Sequence, residues 1–144
     1  SKRPLRVPSR GMDRDAYELV RRMWTDFREG GVERALPLLA EDVEFVTADG
    51  EVHVGHDGVR EFFDAFAVEG RTFEASPYSF ERVGSAVLAA GHRRIHGPEG
   101  TDGAHLYFVH VVAGGRIVLL SAHPTRADAL AAVRGADGAA PARG

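Results

Sequence analysis

Apolar positions in the first third of the chain recur with helical spacing. Ala16, Leu19, Val20, Met23, Trp24 and Phe27 fall at i, i+3, i+4, i+7, i+8 and i+11, one stripe of an amphipathic helix over 13–29. Gly30-Gly31 closes it, as glycine does just past a helix end. Val32, Ala35, Leu36 and Leu39 predict a short second helix over 32–39. Pro37 lies inside it and removes a backbone donor, which predicts a kink or a late start there. A short strand over 43–47 ends at the turn signal Asp49-Gly50. Val59, Phe62, Phe63 and Phe66 place a third helix over 57–66, with Asp57 favourable at its positive end.

From residue 73 onward the period becomes two. Segments 73–83, 87–96, 105–113 and 116–123 alternate β-branched, aromatic and polar residues between Gly and Pro punctuation, and read as strands. Gly114-Gly115 is a two-residue hairpin loop, since both positions accept positive φ. Thr125, with Asp128 three residues on, caps a last helix over 126–133. Helices first and a strand meander second predict an α+β fold, with helices on one face of an antiparallel sheet.

The hairpins also predict a face. Closure over Gly114-Gly115 pairs Val109 with Leu120 and Tyr107 with Ala122. Symmetric closure of the 97–104 loop sets His92 opposite Val109, Arg94 opposite Tyr107 and His96 opposite His105. One face then carries the rows Ala90/Val111/Val118, His92/Val109/Leu120, Arg94/Tyr107/Ala122 and His96/His105/Pro124. It grades from apolar to polar, as the wall of a small-molecule pocket does. The alternative is a wet sheet end with solvated histidines. The opposite face holds Ile95, Leu106, Phe108, Val112, Ile117 and Leu119, with Arg93, His110 and His123 among them.

Composition narrows the chemistry. A chain of 144 residues fits one domain. The absence of cysteine excludes disulfides, a thiolate nucleophile and Cys-ligated metal. Lys2 is the only lysine, which argues against Schiff-base catalysis. There is no apolar run of membrane-span length, and a net charge of -3 offers nucleic acid little attraction. The expectation is a soluble cytoplasmic protein that binds neither nucleic acid nor membrane. Residues 1–12, with Lys2, Arg3, Arg6, Arg10 and two prolines, read as a flexible basic arm, and 135–144 as a disordered tail. The domain is then 13–134.

Three segments carry a resemblance: FREGGVERALPLLAEDVEF at 27–45, VGHDGVREFF at 54–63 and VVAGGRIVLLSAHPTRADALAAV at 111–133. With the order of elements, the chain resembles the bacterial SnoaL-like branch of the nuclear transport factor 2-like superfamily, alongside ketosteroid isomerase and limonene epoxide hydrolase. The resemblance implies a cone with a pocket between helices and concave sheet, in a superfamily whose members often dimerise through the outer face; a homodimer without a cofactor is expected. It does not select a function, because the superfamily holds enzymes and binding modules. The isomerase's aspartate base falls on Thr47, its oxyanion-hole tyrosine on Met23 and its protonated aspartate on Tyr107. The hydrolase's Asp-Arg-Asp positions fall near Ala90, His92 and Ala122. Neither established chemistry is expected from that set.

What the expected pocket offers is imidazole and guanidinium. His92 and His105 are the candidate acid/base groups, and Arg94 with Tyr107 the candidate oxyanion binders. Trp24, Phe45, Thr47, Phe62, His96 and Leu120 are the candidate substrate-binding residues. His92 and His96 are about 13 Å apart along a strand, too far for one ion, so no metal is expected. Ser121, His123 and Asp128 lack a nucleophile turn. The expected function is cofactor-free isomerisation, cyclisation or dehydration of a largely apolar, oxygen-bearing molecule. The alternative is a non-catalytic ligand-binding or dimerisation module.

Overall fold

A computed structural model describes the backbone over residues 6–143 and side chains over 15–137. Helix α1 spans Arg6–Gly30. It starts ahead of the apolar stripe, and Pro8 stands in its first turn, where a missing N–H costs little. The expected basic arm thus overlaps helix from Arg6 onward, and residues 1–5 lie outside the described residues. Helix α2 is only Val32–Ala35. At Pro37 the chain tightens into a 3-10 turn, Leu36–Leu38, before entering strand β1, Leu39–Val46.

After β1, Thr47 closes the turn: the Glu51 N–H donates to its hydroxyl oxygen at 3.0 Å. The return strand β2, Val52–Val54, is an element that the sequence pattern did not reveal. Helix α3, Gly55–Val68, leads to β3, Thr72–Val83, β4, Ala86–Gly97, β5, Gly100–Ala113, and β6, Arg116–His123. Helix α4 covers Arg126–Arg143, and its cap is the expected one, with the Asp128 N–H donating to Thr125 Oγ1 at 3.1 Å. Its alanine-rich continuation occupies the segment expected as a disordered tail, up to Arg143.

The six strands form one mixed sheet in the order β2-β1-β6-β5-β4-β3, with β1 parallel to β6. Two layers of helix lie against it. On one face Val20, Met23 and Trp24 of α1 and Val59 of α3 pack on Val87, Ala89, Leu106, Phe108 and Leu120. On the other face α4 packs Ala129 and Val133 against Ala86, Leu88 and Val109. Ala86, Val87, Leu88 and Ala89 are consecutive and all buried, which requires cover on both faces. Among the described residues no helix is long and apolar enough to cross a membrane.

Two details of register decide what faces the inner helices. The β4–β5 hairpin closes tightly, with Gly97 opposite Gly100, so His92 faces His105 and Ala90 faces Tyr107. The wide symmetric loop expected there is absent. That slip of four leaves each side chain on its own face. The β5–β6 hairpin starts in the expected register, with Ala113 opposite Arg116 and Val112 opposite Ile117. An irregularity between Val111 and Val112 then shifts the pairing by one residue, and Leu120 lies opposite His110 instead of Val109. A one-residue shift exchanges faces.

Candidate functional site

Between α1, α3 and the inner face of the sheet lies a cavity of about 560 Å³. Seven of the eight phenylalanines line it: Phe27 from α1, Phe62, Phe63 and Phe66 from α3, and Phe45, Phe73 and Phe108 from the strands. Phe62 is the hub, with ring centroids 5.1 Å from Phe45, 5.0 Å from Phe63, 5.1 Å from Phe66 and 5.8 Å from Phe73. The helical period of α3 delivers 62, 63 and 66 to one side, and the alternation of β1 and β3 supplies Phe45 and Phe73. Such a wall favours flat, apolar molecules.

Besides Glu61 and the Glu69–Arg71 ion pair, polar groups interrupt the wall at three places. The first is Arg93 on β4. Its guanidinium Nη2 is 3.3 Å from Asp102 Oδ2, while its Nε–H is buried with no acceptor among the described residues. A buried charged donor left unpaired is costly, and a ligand oxygen would satisfy it. The second is His53 on β2. Its ring lies 6.2 Å from Phe45 and 5.4 Å from Phe62, and its Nε2 is 3.3 Å from Glu51 Oε1. The third is Thr47, whose hydroxyl donates to Asp49 and holds that carboxyl below its ordinary range. The Thr47 proton is thus committed to the turn.

Behind the wall, His110 is fully buried and hydrogen-bonded at both nitrogens. Nδ1–H donates to the Val87 carbonyl at 3.0 Å, and Nε2 accepts from Trp24 Nε1–H at 2.9 Å. Burial pushes its pKa down to about 4. It is a neutral structural group with no free nitrogen. Among the described residues no three His, Asp or Glu side chains converge on a metal-binding geometry.

The sequence-predicted residues divide by face. Trp24, Phe45, Thr47, Phe62 and Leu120 line the cavity. His92, Arg94, His96, His105 and Tyr107 do not: the shifted β5–β6 register puts them on the outer face of the sheet. There the Tyr78 hydroxyl and His105 Nε2 are hydrogen-bonded, and the His92 and His105 rings meet edge to face at 5.3 Å. His96 Nε2 is 2.9 Å from Glu74 Oε1, and Tyr107 packs beside α4. Sequence reasoning missed Arg93, Asp102 and His53. A signal for Arg93 was present, since it alternates with Ile95 on the more apolar face.

A model of the SnoaL-like domain matches residues 20–120. The chain belongs to the SnoaL-like family. The matched span runs from the buried Val20 of α1 to Leu120 of β6, and so contains Thr47, His53 and Arg93. By structure, the chain is similar to an NTF2-like protein of unknown function from Burkholderia pseudomallei, at 22% identity and a TM-score of 0.66, covering 79% of this chain and 93% of that one. It is similar to TerC co-crystallized with polyporic acid, at 20% identity and a TM-score of 0.66, over 79% and 94% of the two chains. A putative polyketide cyclase from Xanthomonas campestris pv. campestris matches at 18% identity and a TM-score of 0.67, over 82% and 96%. These likenesses establish the NTF2-like α+β cone. Among curated proteins no relative matches by sequence.

Proposed function

We propose that this SnoaL-like protein is a small-molecule enzyme that moves a proton on a flat, largely apolar, oxygen-bearing substrate without a cofactor. The observation that carries the reading is the Arg93 Nε–H, buried without an acceptor among the described residues, at a cavity walled mainly by phenylalanines. A carbonyl or enolate oxygen there completes the donor and gains charge stabilisation as it becomes negative. His53, oriented by Glu51, is the acid/base candidate in the same wall. The co-crystallization of TerC with polyporic acid, and the description of the Xanthomonas protein as a putative polyketide cyclase, agree with an oxygen-bearing organic substrate. Isomerisation, cyclisation and dehydration all begin with that proton transfer.

The test is deuterium exchange. 2-Acetylnaphthalene is incubated with the protein in D2O, and loss of the methyl signal next to the carbonyl is followed by NMR. The reading expects exchange above the buffer rate, reduced on the order of a hundredfold or more in His53→Gln and in Arg93→Gln. Ligand binding without exchange would overturn the enzyme reading.

That outcome would support the second reading, a non-catalytic binding module. One observation favours it: the deepest histidine, His110, has both nitrogens occupied and moves no proton. The reading also includes a homodimer formed through the outer-face region around Tyr78, which is 62% exposed. Native mass spectrometry tests this, and a monomer at micromolar concentration would exclude it.

A further inference from the structure

Resting on the ligand-binding reading of the phenylalanine cavity, we propose that an adjoining groove binds the anionic end of the same ligand. The groove, of about 580 Å³, lies between the C-terminal ends of α1 and α3 and the edge strand β3. It shares Phe27, Phe63, Phe66 and Phe73 with the main cavity. One molecule can therefore rest its rings on these side chains and project a substituent past them.

The groove is cationic in a chain whose net charge is -3. Arg28, Arg71 and Arg94 line it, with His92. Its acidic member, Glu74, is held by His96 at 2.9 Å, and Arg71 is paired with Glu69 at 3.0 Å. Arg28 and Arg94 have no ion pair or side-chain hydrogen bond among the described residues. Their fork-shaped donors are open, and they match carboxylate, sulfonate or phosphate oxygens two at a time. As an edge strand, β3 adds backbone N–H groups that have no partner strand. Two unpaired guanidiniums beside an aromatic wall define the ligand class: an organic anion with a flat apolar body and a terminal oxyanion. This also explains why Arg94 stands at a ligand site from the outer face. It lies opposite Glu74 on the edge strand, and the groove wraps around that edge.

Two dyes that share one aromatic frame test the proposal. N-Phenyl-1-naphthylamine is neutral, and 8-anilinonaphthalene-1-sulfonate carries the anion. Both are titrated by fluorescence into the full chain, into Arg28→Gln/Arg94→Gln, and into Arg93→Gln, with circular dichroism as the control for folding. The proposal expects the sulfonate to bind more tightly than the neutral dye. It expects the double variant to lose about tenfold in sulfonate affinity, to lose the salt dependence of that binding, and to keep the neutral dye unchanged. Neutral-dye binding with no sulfonate preference overturns the groove and leaves the cavity reading standing. A preference removed by Arg93→Gln, and not by the double variant, also overturns it, because the anion then sits in the main cavity. Failure of both dyes to bind overturns the cavity reading and the groove with it.

Discussion

The indole Nε1–H of Trp24 donates to Nε2 of His110 across 2.9 Å, joining α1 to β5 with both side chains buried. The same indole lies 4.9 Å from the Phe108 ring and forms part of the cavity wall. One hydrogen bond therefore fixes the rotation of α1 over the sheet and the position of the wall. The histidine reaches on to the Val87 carbonyl, so the link runs from α1 through β5 to β4.

Trp24→Phe removes the donor and leaves His110 Nε2 buried without a partner. The lost hydrogen bond and the smaller ring together should cost about 2–4 kcal/mol. Urea unfolding at pH 7 measures this. A loss below about 1 kcal/mol would show that the bond is replaced on relaxation.

Acid should weaken the fold through His110. Its pKa is held down to about 4 by burial, against an ordinary value of 6.5. Above pH 6.5 neither state carries the proton, and the contribution is intact. As pH falls from 6.5 to 4, only the unfolded chain takes it up, and stability drops by roughly 3 kcal/mol in total. Below about 4 the folded chain protonates as well and the slope ends. His123, whose pKa is also lowered by burial, acts in the same direction. Urea midpoints at pH 7 and pH 4.5 should differ clearly in the wild type and less in His110→Gln. Equal differences in the two proteins would place the acid sensitivity elsewhere.

The helices were legible because each buries one face: Val20, Met23 and Trp24 in α1 and Val59 in α3 sit where the apolar stripes put them. The strand segments and the Gly114-Gly115 turn were legible for the same local reasons. The face of the site was not. Alternation distinguishes inside from outside only when one side of a sheet is wet, and β4 and β5 have α1 on one side and α4 on the other. Both alternating sets therefore contain buried apolar residues. The deciding information was a one-residue irregularity near Val111, which leaves no mark in composition. The cavity residues on α1, α3, β1 and β6 were found, while the polar groups on β4 and β5 were assigned to the wrong face. Strand β2 has three residues, two of them exposed, and gave no periodic signal at all.

Gly91 tests the packing of β3 against β4. It lies opposite Pro77, and a Cβ there would stand 2.5 Å from Pro77 Cα and 2.5 Å from the Ser76 carbonyl oxygen. These are backbone atoms, so no rotamer change relieves the contact. Gly91→Ala should destabilise by about 1–3 kcal/mol or more. Gly135 in α4 is the control, because a Cβ there meets nothing within 4 Å. Gly135→Ala should be neutral or stabilising by up to about 1 kcal/mol. Thermal melts should show a lowered midpoint for Gly91→Ala and an unchanged or raised one for Gly135→Ala, and a tolerated Gly91→Ala would mean that the edge strand yields.

Arg93 should trade stability for binding. Its Nε–H is buried without an acceptor among the described residues, and its ion pair with Asp102 is weakened by the 68% exposure of that carboxylate. The free protein thus carries a desolvated donor whose cost only a ligand oxygen removes. Arg93→Met keeps the length and apolar reach of the side chain while deleting every donor. The variant should be more stable than the wild type by about 1 kcal/mol when empty. It should also bind 2-acetylnaphthalene more weakly by about tenfold or more. Melting temperatures without ligand, and with saturating ligand, separate the two effects. The wild type should gain more from the ligand than the variant does, since stabilisation by a ligand grows with its affinity. A variant that is less stable and gains equally from the ligand would make Arg93 a structural residue, and would leave the cavity without its oxygen-binding group.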